Sequence, residues 1–227
     1  MQSGRAPSKA ILYDLDGTLV DHFTAIHRAI NHAQQRVGVG PSSYELVRAT
    51  VGGSIEVTMA RLIGAELAPR AIPYYHEFFA KIMFEDLHAL PGAERLLETL
   101  HARGVRQAVV TNKEGKTARA CVRYLGWDKW LELVLGTHDT PWRKPMREFV
   151  LHAVTTLGLR PEEAMFVGDS PFDIEAAANA GVRCLAVATG SHTREQLLAH
   201  RPAPEAVFEN LQQLGEATFS VKPGLAF

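Results

Sequence analysis

The sequence has few cysteines and almost no net charge. Cys121 and Cys184 are its two cysteines; they lie far apart in a chain of 227 residues and form no CxxC pair. The sequence therefore indicates neither a thiolate metal site nor a disulfide framework. The formal net charge is -1, which excludes the strongly basic surface that binds polyanions. Nucleic acid is not an expected partner.

Long apolar stretches are also absent from the sequence. No uninterrupted apolar run approaches the roughly 20 residues that a helix needs to cross a bilayer. The first residues, MQSGRAPSK, lack the apolar core of a signal peptide. We therefore expect a cytoplasmic protein without a membrane partner, whose 46% hydrophobic residues suffice for a large core. The oligomeric state stays open.

Residues 20–89 show the periodicity of helices. Apolar residues recur at spacings of three and four from Phe23 to Val37, which is typical of a helix with one apolar face. Further helix-like segments follow, and Pro69 and Pro73 predict breaks between them. Because no strand-like run occurs in this stretch, we predict that it is an all-helical insert.

The rest of the chain alternates strand-like and helix-like segments. The apolar runs that predict strands are KAILY, VRQAVVT, LELVLG, AMFVG and VRCLAVA. This order is typical of an α/β fold with a doubly wound, mainly parallel sheet, a Rossmann-like core. We predict that residues 1–19 and 90–227 form the core domain. Residues 20–89 would form a cap inserted after the first strand, with hinges near Val20 and near LPG.

Polar motifs lie after four of the predicted strands. In a parallel sheet the carboxyl ends of the strands meet at one edge, where ligands bind. We therefore expect the motifs DLDGT, TNK, RKP and GDSPFD to share one site. Their candidate functional residues are Asp14 and Asp16, Thr111 and Asn112, Lys144, and Asp169 and Asp173.

These residue types suit phosphoryl transfer. A carboxylate can attack phosphorus and form an aspartyl-phosphate, and Asp14 is the candidate nucleophile. Asp16 suits a general acid and base, provided that its neighbours raise its pKa. Lys144 would neutralise Asp14 and the phosphoryl group. The Thr111 hydroxyl and the backbone N–H groups around Asn112 would bind the phosphate oxygens.

Carboxylates and a phosphate repel each other, so such a site requires a cation. A hard divalent ion such as Mg2+ takes oxygen ligands, and Asp14 and Asp169 can supply two of them. Ser170 is a predicted N-cap residue at the start of the helix that follows. Asp173 is predicted to orient a metal-bound water or Lys144.

The four motifs, in this order, resemble the haloacid dehalogenase superfamily of phosphotransferases, in particular its phosphoglycolate-phosphatase-like branch with a helical cap. The resemblance covers about Lys9 to about Gly190, and the longest matches are DLDGTLVD and GDSPFDIEAAANAG. It implies hydrolysis of a small phosphorylated metabolite, with the backbone carbonyl of Asp16 as a third Mg2+ ligand. The stretch VGGS resembles the cap loop over the active site in related phosphatases. Gly53 and Ser54, with His22 near the hinge, are thus candidates for substrate specificity.

Other functions remain open on the sequence alone. A sugar-phosphate mutase would use the same core, with a sugar hydroxyl instead of water as the acceptor. A noncatalytic binding protein could also have this fold. A dehalogenase would ordinarily lack an acid at the position of Asp16, and a DxD glycosyltransferase would leave three motifs unused. The substrate itself is not identified.

Overall fold

The computed structural model describes residues 8–222. The ends of the predicted core, residues 1–7 and 223–227, lie outside the described residues, and so does most of the segment examined for a signal peptide. The strands are β1 (Ala10–Tyr13), β2 (Val20–Asp21), β3 (His88–Ala89), β4 (Arg106–Glu114), β5 (Leu133–Thr137), β6 (Ala164–Gly168), β7 (Arg183–Val187) and β8 (Ala206–Phe208).

Helices separate most of these strands. They are α1 (Phe23–Arg36), α2 (Tyr44–Thr50), α3 (Ile55–Ile63), α4 (Ala68–Ile82), α5 (Ala93–Ala102), α6 (Gly115–Tyr124), α7 (Arg147–Thr156), α8 (Pro171–Ala180), α9 (Arg194–Ala199) and α10 (Leu211–Phe219), with a 3-10 helix at Pro161–Glu163. Among the described residues, none of these helices combines the length and apolarity needed to cross a membrane.

Strand β1 lies in the middle of a six-stranded parallel sheet with the order β5-β4-β1-β6-β7-β8. Tyr13 pairs with Val109 of β4 on one side and with Val167 of β6 on the other. All residues of β1 are buried, as expected for a central parallel strand. The strand order changes direction at β1, and such a switch point opens a crevice at the carboxyl ends of the strands. Asp14 follows β1 directly at this crevice.

Helices cover both faces of the sheet. Ile11 and Tyr13 point to the face covered by α5, α6 and α10, whereas Ala10 and Leu12 point to the face covered by α7, α8 and α9. This alternation along β1 gives the sheet one apolar core on each side. The predicted α/β fold with a doubly wound, parallel sheet is confirmed.

The segment between β2 and β3 forms helices α1 to α4. Its two ends pair as a short antiparallel ribbon, in which Val20 lies opposite Ala89. The sequence predicts hinges here and no strands, because strands of two residues show no periodicity. The insert is therefore helical apart from this ribbon at its base.

The predicted break at Pro73 is wrong, because Pro73 lies inside the continuous helix α4. Proline removes one backbone donor from a helix, but Ala71, Tyr75 and Phe79 are buried on one face of α4 and hold it in place. Pro69 lies in the first turn, where a missing N–H is tolerated.

Two features of the sheet do not follow from the sequence pattern. The three residues of β8 are too few to show an alternation. The apolar run of the second predicted strand ends at Thr111, whereas β4 continues to Glu114. The extension brings the TNK motif into the strand itself.

A buried hydrogen bond joins β1 to β4 one residue before Asp14. The Tyr13 hydroxyl donates to Gln107 Oε1 at 3.0 Å, and Gln107 Nε2 donates to the carbonyl of Leu97 at 2.8 Å. Tyr13 and Gln107 are both fully buried. Since buried polar groups are costly without partners, this pair fixes the end of β1 against α5.

We expect Tyr13→Phe to lower the free energy of unfolding by about 1–3 kcal/mol, because it leaves Gln107 Oε1 buried without this donor. Urea denaturation measures the change. Tyr124→Phe, at a tyrosine that is 58% exposed, is the matched control and should change stability by less than about 0.5 kcal/mol. Equal effects of the two substitutions would contradict the structural role of the Tyr13 hydroxyl.

Candidate active site

Asp14, Lys144 and Asp173 form a buried ionic group at the carboxyl edge of the sheet. Lys144 Nζ lies 2.8 Å from Asp14 Oδ1 and donates a hydrogen bond to Asp173 Oδ1 at 2.6 Å. Burial opposes the charge on Lys144, but the two carboxylates outweigh this effect and raise its pKa. The ammonium group is therefore held in its charged form beside Asp14.

Asn112 positions the backbone of Lys144. Its Oδ1 accepts a hydrogen bond from Lys144 N at 2.9 Å, and its Nδ2 donates to the Lys144 carbonyl at 3.1 Å. The same Nδ2 donates to the carbonyl of Gly52 at 2.9 Å. The Asn112 side chain is thus engaged with protein, which leaves its main chain for the predicted contact with phosphate. Thr111, one residue earlier, is buried, and its hydroxyl opposes the rise in the pKa of Asp14.

Asp169 follows β6 and lies close to Asp14 and Asp173. One carboxylate oxygen of each of these three residues lies within 4.8 Å of the others. Thr18 Oγ1 donates to Asp169 Oδ1 at 3.2 Å, and Ser191 N donates to Asp169 Oδ2 at 2.9 Å. Three carboxylates are therefore brought together at one point of the crevice.

The oxygens of Asp173 are already bound by protein groups. Oδ1 accepts from Lys144, and Oδ2 accepts from Ser170 N at 3.0 Å and from Ser170 Oγ at 2.7 Å. Ser170 is the N-cap residue of α8, at the position that the sequence predicts. Asp169 also accepts hydrogen bonds on both oxygens, but its donors Thr18 and Ser191 are neutral, whereas Asp173 accepts from the ammonium group of Lys144. Asp14 and Asp169 therefore remain the candidate cation ligands.

The cluster carries more negative charge than Lys144 can neutralise. Burial, followed by repulsion from Asp173, raises the pKa of Asp169 to about 8. Burial also raises the pKa of Asp14 to about 6, although Lys144 opposes the rise. Carboxylate oxygens are the ligands that hard divalent cations prefer, and such a cation would supply the missing positive charge. The residues present therefore fit a metal ion.

Asp16 lies beside this cluster and pairs with Lys113. Lys113 Nζ donates to Asp16 Oδ1 at 3.0 Å and to Oδ2 at 2.8 Å. Burial alone would raise the pKa of Asp16, but Lys113 and His22 more than compensate and hold it below its usual range. The expectation that neighbours raise this pKa is wrong for this conformation, because the sequence does not show which cation approaches Asp16.

His22 lies behind Asp16, fully buried. Its Nε2 is 2.7 Å from the carbonyl of Met83, and its Nδ1 is 3.5 Å from Asp16 Oδ1. Burial and the nearby Lys113 lower the pKa of His22. His22 is not among the described residues that line the pocket, so its position does not suit the direct substrate contact for which it is a candidate.

A pocket opens in front of Asp14 and Asp16. Its wall contains Lys113 from the core and Gly53 and Phe79 from the helical insert. Ser54, the other specificity candidate of the insert, is buried as the residue before α3. The structure thus brings Gly53 to the pocket and places Ser54 behind the wall.

Gly17 allows the chain to turn tightly past the cluster. Its φ is +87°, and an added Cβ would lie 2.8 Å from Asp169 Oδ2 and 2.9 Å from Gly190 Cα. A side chain at this position would therefore both strain the backbone and displace Asp169. Close packing around Gly17 thus explains the glycine at the fourth position of the DxDG motif.

Lys113, Thr18 and Ser191 belong to the site but are not among the residues that the sequence motifs predict. Lys113 belongs to the TNK motif, and Thr18 is the threonine of DLDGT. Ser191 follows β7, so the rule that polar residues after parallel strands meet at one edge could have found it. The position of Lys113 against Asp16, by contrast, depends on a side-chain conformation that the rule does not predict.

Comparisons with known proteins agree with this geometry. The family model of haloacid dehalogenase-like hydrolases matches residues 11–187, and the chain belongs to this family. Phosphoglycolate phosphatase 1 of Pseudomonas aeruginosa is 31% identical over 91% of this chain and 78% of its own length. A 5'-nucleotidase of the same organism is 29% identical over 85% of this chain and 88% of its own length. The predicted family and enzyme class, a phosphatase-like hydrolase, are confirmed.

Solved structures show the same architecture. A predicted phosphoglycolate phosphatase from Haemophilus somnus has a TM-score of 0.85 and 26% identity, with coverage of 95% of this chain and 100% of that chain. CbbY from Rhodobacter sphaeroides, solved in complex with phosphate, has a TM-score of 0.77 and 23% identity, with coverage of 92% and 96%. The second likeness shows the fold alone.

The carboxylate cluster predicts a pH dependence of stability and metal binding. Because the pKa of Asp169 is about 8 in the folded protein and lower in the unfolded chain, unfolding releases a proton. The metal-free protein should therefore lose stability as the pH rises from about 4 to about 8. A divalent cation must displace that proton, so its affinity should rise more than about tenfold between pH values of about 6 and about 8.

Chemical denaturation with EDTA and with Mg2+, at both pH values, measures these effects. Asp169→Asn is the control, because it removes the group that titrates near pH 8 and should flatten both dependences above the pKa of Asp14, which is about 6. Stabilisation by Mg2+ that is the same at the two pH values in the unsubstituted protein would contradict the electrostatic account.

Proposed function

We propose that the protein hydrolyses a small phosphomonoester through an aspartyl-phosphate at Asp14, with Mg2+ as the bound cation. The observation that carries the proposal is the buried contact of 2.8 Å between Lys144 and Asp14, a residue that lines the pocket. An ammonium group beside a carboxylate offsets the repulsion between that carboxylate and an anionic phosphate. Asp16 and Thr111 line the same pocket as Asp14.

The first step forms a bond between an Asp14 oxygen and phosphorus and breaks the bond from phosphorus to the ester oxygen. Asp16 gives a proton to the leaving oxygen. Since Lys113 holds the Asp16 carboxyl ionised in this conformation, the ion pair has to open before Asp16 can hold that proton.

The second step returns Asp14 to its free form. Asp16, now ionised, accepts a proton from water, the water oxygen bonds to phosphorus, and the bond between Asp14 and phosphorus breaks. Inorganic phosphate leaves with the water oxygen. Lys144 and Thr111, with the main chain at Asn112, bind the phosphate oxygens in both steps.

Mg2+ is the proposed cation because the ligands are hard oxygens. When bound by Asp14, Asp169 and the backbone carbonyl of Asp16, Mg2+ would supply positive charge against the phosphate oxygens. Asp173 holds Lys144 in place, as its contact of 2.6 Å indicates.

Residues 20–89 are proposed to act as a cap over a core of residues 1–19 and 90–227. Gly53 and Phe79 of the insert line the pocket, and a cap in this position excludes water and limits the size of the leaving group. The substrate is thus a small phosphorylated metabolite. Phosphoglycolate is favoured by the names of several relatives, and a nucleoside monophosphate is the next candidate because of the related 5'-nucleotidase.

Asp14→Asn should reduce phosphatase activity below detection, because a carboxamide is a poor nucleophile toward phosphorus. A panel of phosphorylated metabolites, including phosphoglycolate, sugar phosphates and nucleoside monophosphates, is assayed for released phosphate with Mg2+ and with EDTA. Asp128→Asn, at an exposed aspartate, is the matched control and should keep full activity. Turnover that survives EDTA, or full activity of Asp14→Asn, would overturn the mechanism.

Transfer of the phosphoryl group to a sugar hydroxyl, with no phosphate released, would identify a mutase instead.

Asp16→Asn tests the acid role through the leaving group. We expect this variant to lose about 10²- to 10⁴-fold in kcat on alkyl phosphates, whose leaving oxygen needs a proton. On p-nitrophenyl phosphate, the rate of the phosphorylation step should fall far less. Single-turnover kinetics isolates this step. An equal loss on both substrates would show that Asp16 acts through structure or metal binding and not as an acid.

A further inference from the structure

Arg48 of helix α2 reaches from the helical insert to a loop of the core. Its Nη2 donates to the carbonyl of Thr189 at 3.0 Å, and its Nε donates to the carbonyl of Gly190 at 3.1 Å. The guanidinium also lies 5.3 Å from the centre of the Phe23 ring. The planar fork of an arginine thus spans two successive backbone carbonyls.

The loop that Arg48 binds, residues 189–191, carries groups of the active site. Ser191 N and Ser191 Oγ donate to Asp169 Oδ2 at 2.9 and 3.1 Å. Thr189 Oγ1 donates to the carbonyl of Gly17 at 2.7 Å. The loop therefore holds both the Asp169 carboxylate and the turn that follows Asp16.

The loop also packs directly against these groups. A Cβ added at Gly190 would overlap the Asp169 carboxylate, and one added at Gly17 would lie 2.9 Å from Gly190 Cα. Because there is no free space between the loop and Asp169, a shift of the loop also moves the carboxylate or removes its hydrogen bonds.

We propose that Arg48 is a positioning residue, which couples the seating of the helical insert on the core to the position of Asp169 through the loop at residues 189–191. The inference rests on the proposed function, in which Asp169 is a ligand of the cation. It assigns Arg48 no contact with substrate.

The coupling follows from where the two ends of the contact are anchored. Arg48 moves with the insert, whereas Thr189 and Gly190 follow β7 of the core. When the insert moves away, both carbonyls exchange a charged donor for water, and the loop is held less firmly. Asn112 and Gly52 join the same two parts of the molecule at 2.9 Å on the opposite side of the cluster, so a seated insert fixes the site from two sides.

Arg48→Ala and Arg48→Lys test the proposal on the full chain, with hydrogen exchange, Mg2+ titration calorimetry without substrate, and steady-state kinetics. Arg48→Ala should lose amide protection at residues 189–191 while β1 and β6 keep theirs. Its Mg2+ dissociation constant should rise about tenfold, as for other residues that orient metal ligands, and kcat should fall. Arg48→Lys should recover part of each effect, because one ammonium can reach one of the carbonyls.

Arg36→Ala is the matched control, since Arg36 lies 4.5 Å from the Tyr74 ring within the insert. This variant should leave the loop protection, the Mg2+ affinity and kcat unchanged. Thermal unfolding shows whether each variant is folded. If Arg48→Ala does not fold, the same three measurements on Arg48→Lys test the coupling. Normal loop protection and normal Mg2+ affinity in a folded Arg48→Ala would overturn the coupling. Absence of phosphatase turnover in the unsubstituted protein would overturn the proposed function instead. Hydrogen exchange at residues 189–191 and the Mg2+ affinity would still decide the role of Arg48.

Discussion

The arrangement depends on one buried ammonium group placed among carboxylates. Lys144 contacts both Asp14 and Asp173 at ion-pair distance, and Asp169 adds a third acid within the same cluster. Removing such charges from water costs several kcal/mol for each ion unless they are paired. Within residues 8–222, one ammonium group contacts two of the three clustered carboxylates, which leaves the cluster short of positive charge. That shortage explains why the site fits a cation and why an anionic phosphate could then enter.

The fold brings these charges together by ordinary means. Asp14 and Asp169 each follow a central strand of the parallel sheet, and Lys144 is held by the Asn112 side chain from the end of β4. Backbone groups at chain turns need hydrogen-bond partners, and the side chains of Asp173 and Asp169 accept from the backbone N–H groups of Ser170 and Ser191. The helical insert adds the remaining wall, so the site is assembled from both parts of the chain.

Much of this architecture is predictable from the sequence because it depends on local patterns. Asp14 and Asp169 could be grouped in advance, since each follows an apolar run and parallel strands end at one edge. Pro73 was misleading because packing of the surrounding helix outweighs the loss of one hydrogen bond. The roles of Lys113 and Arg48 could not be predicted, because each depends on where a long, flexible side chain ends after folding. The lowered pKa of Asp16 could not be predicted for the same reason.

The central claim is that the cluster retains a proton until a divalent cation replaces it. Titration calorimetry of Mg2+ binding, in buffers that differ in ionisation enthalpy, counts the protons released per ion bound. The account predicts the release of about one proton near neutral pH. Binding of Mg2+ with no proton release would contradict it, because the three carboxylates would then already be ionised beside a single ammonium group.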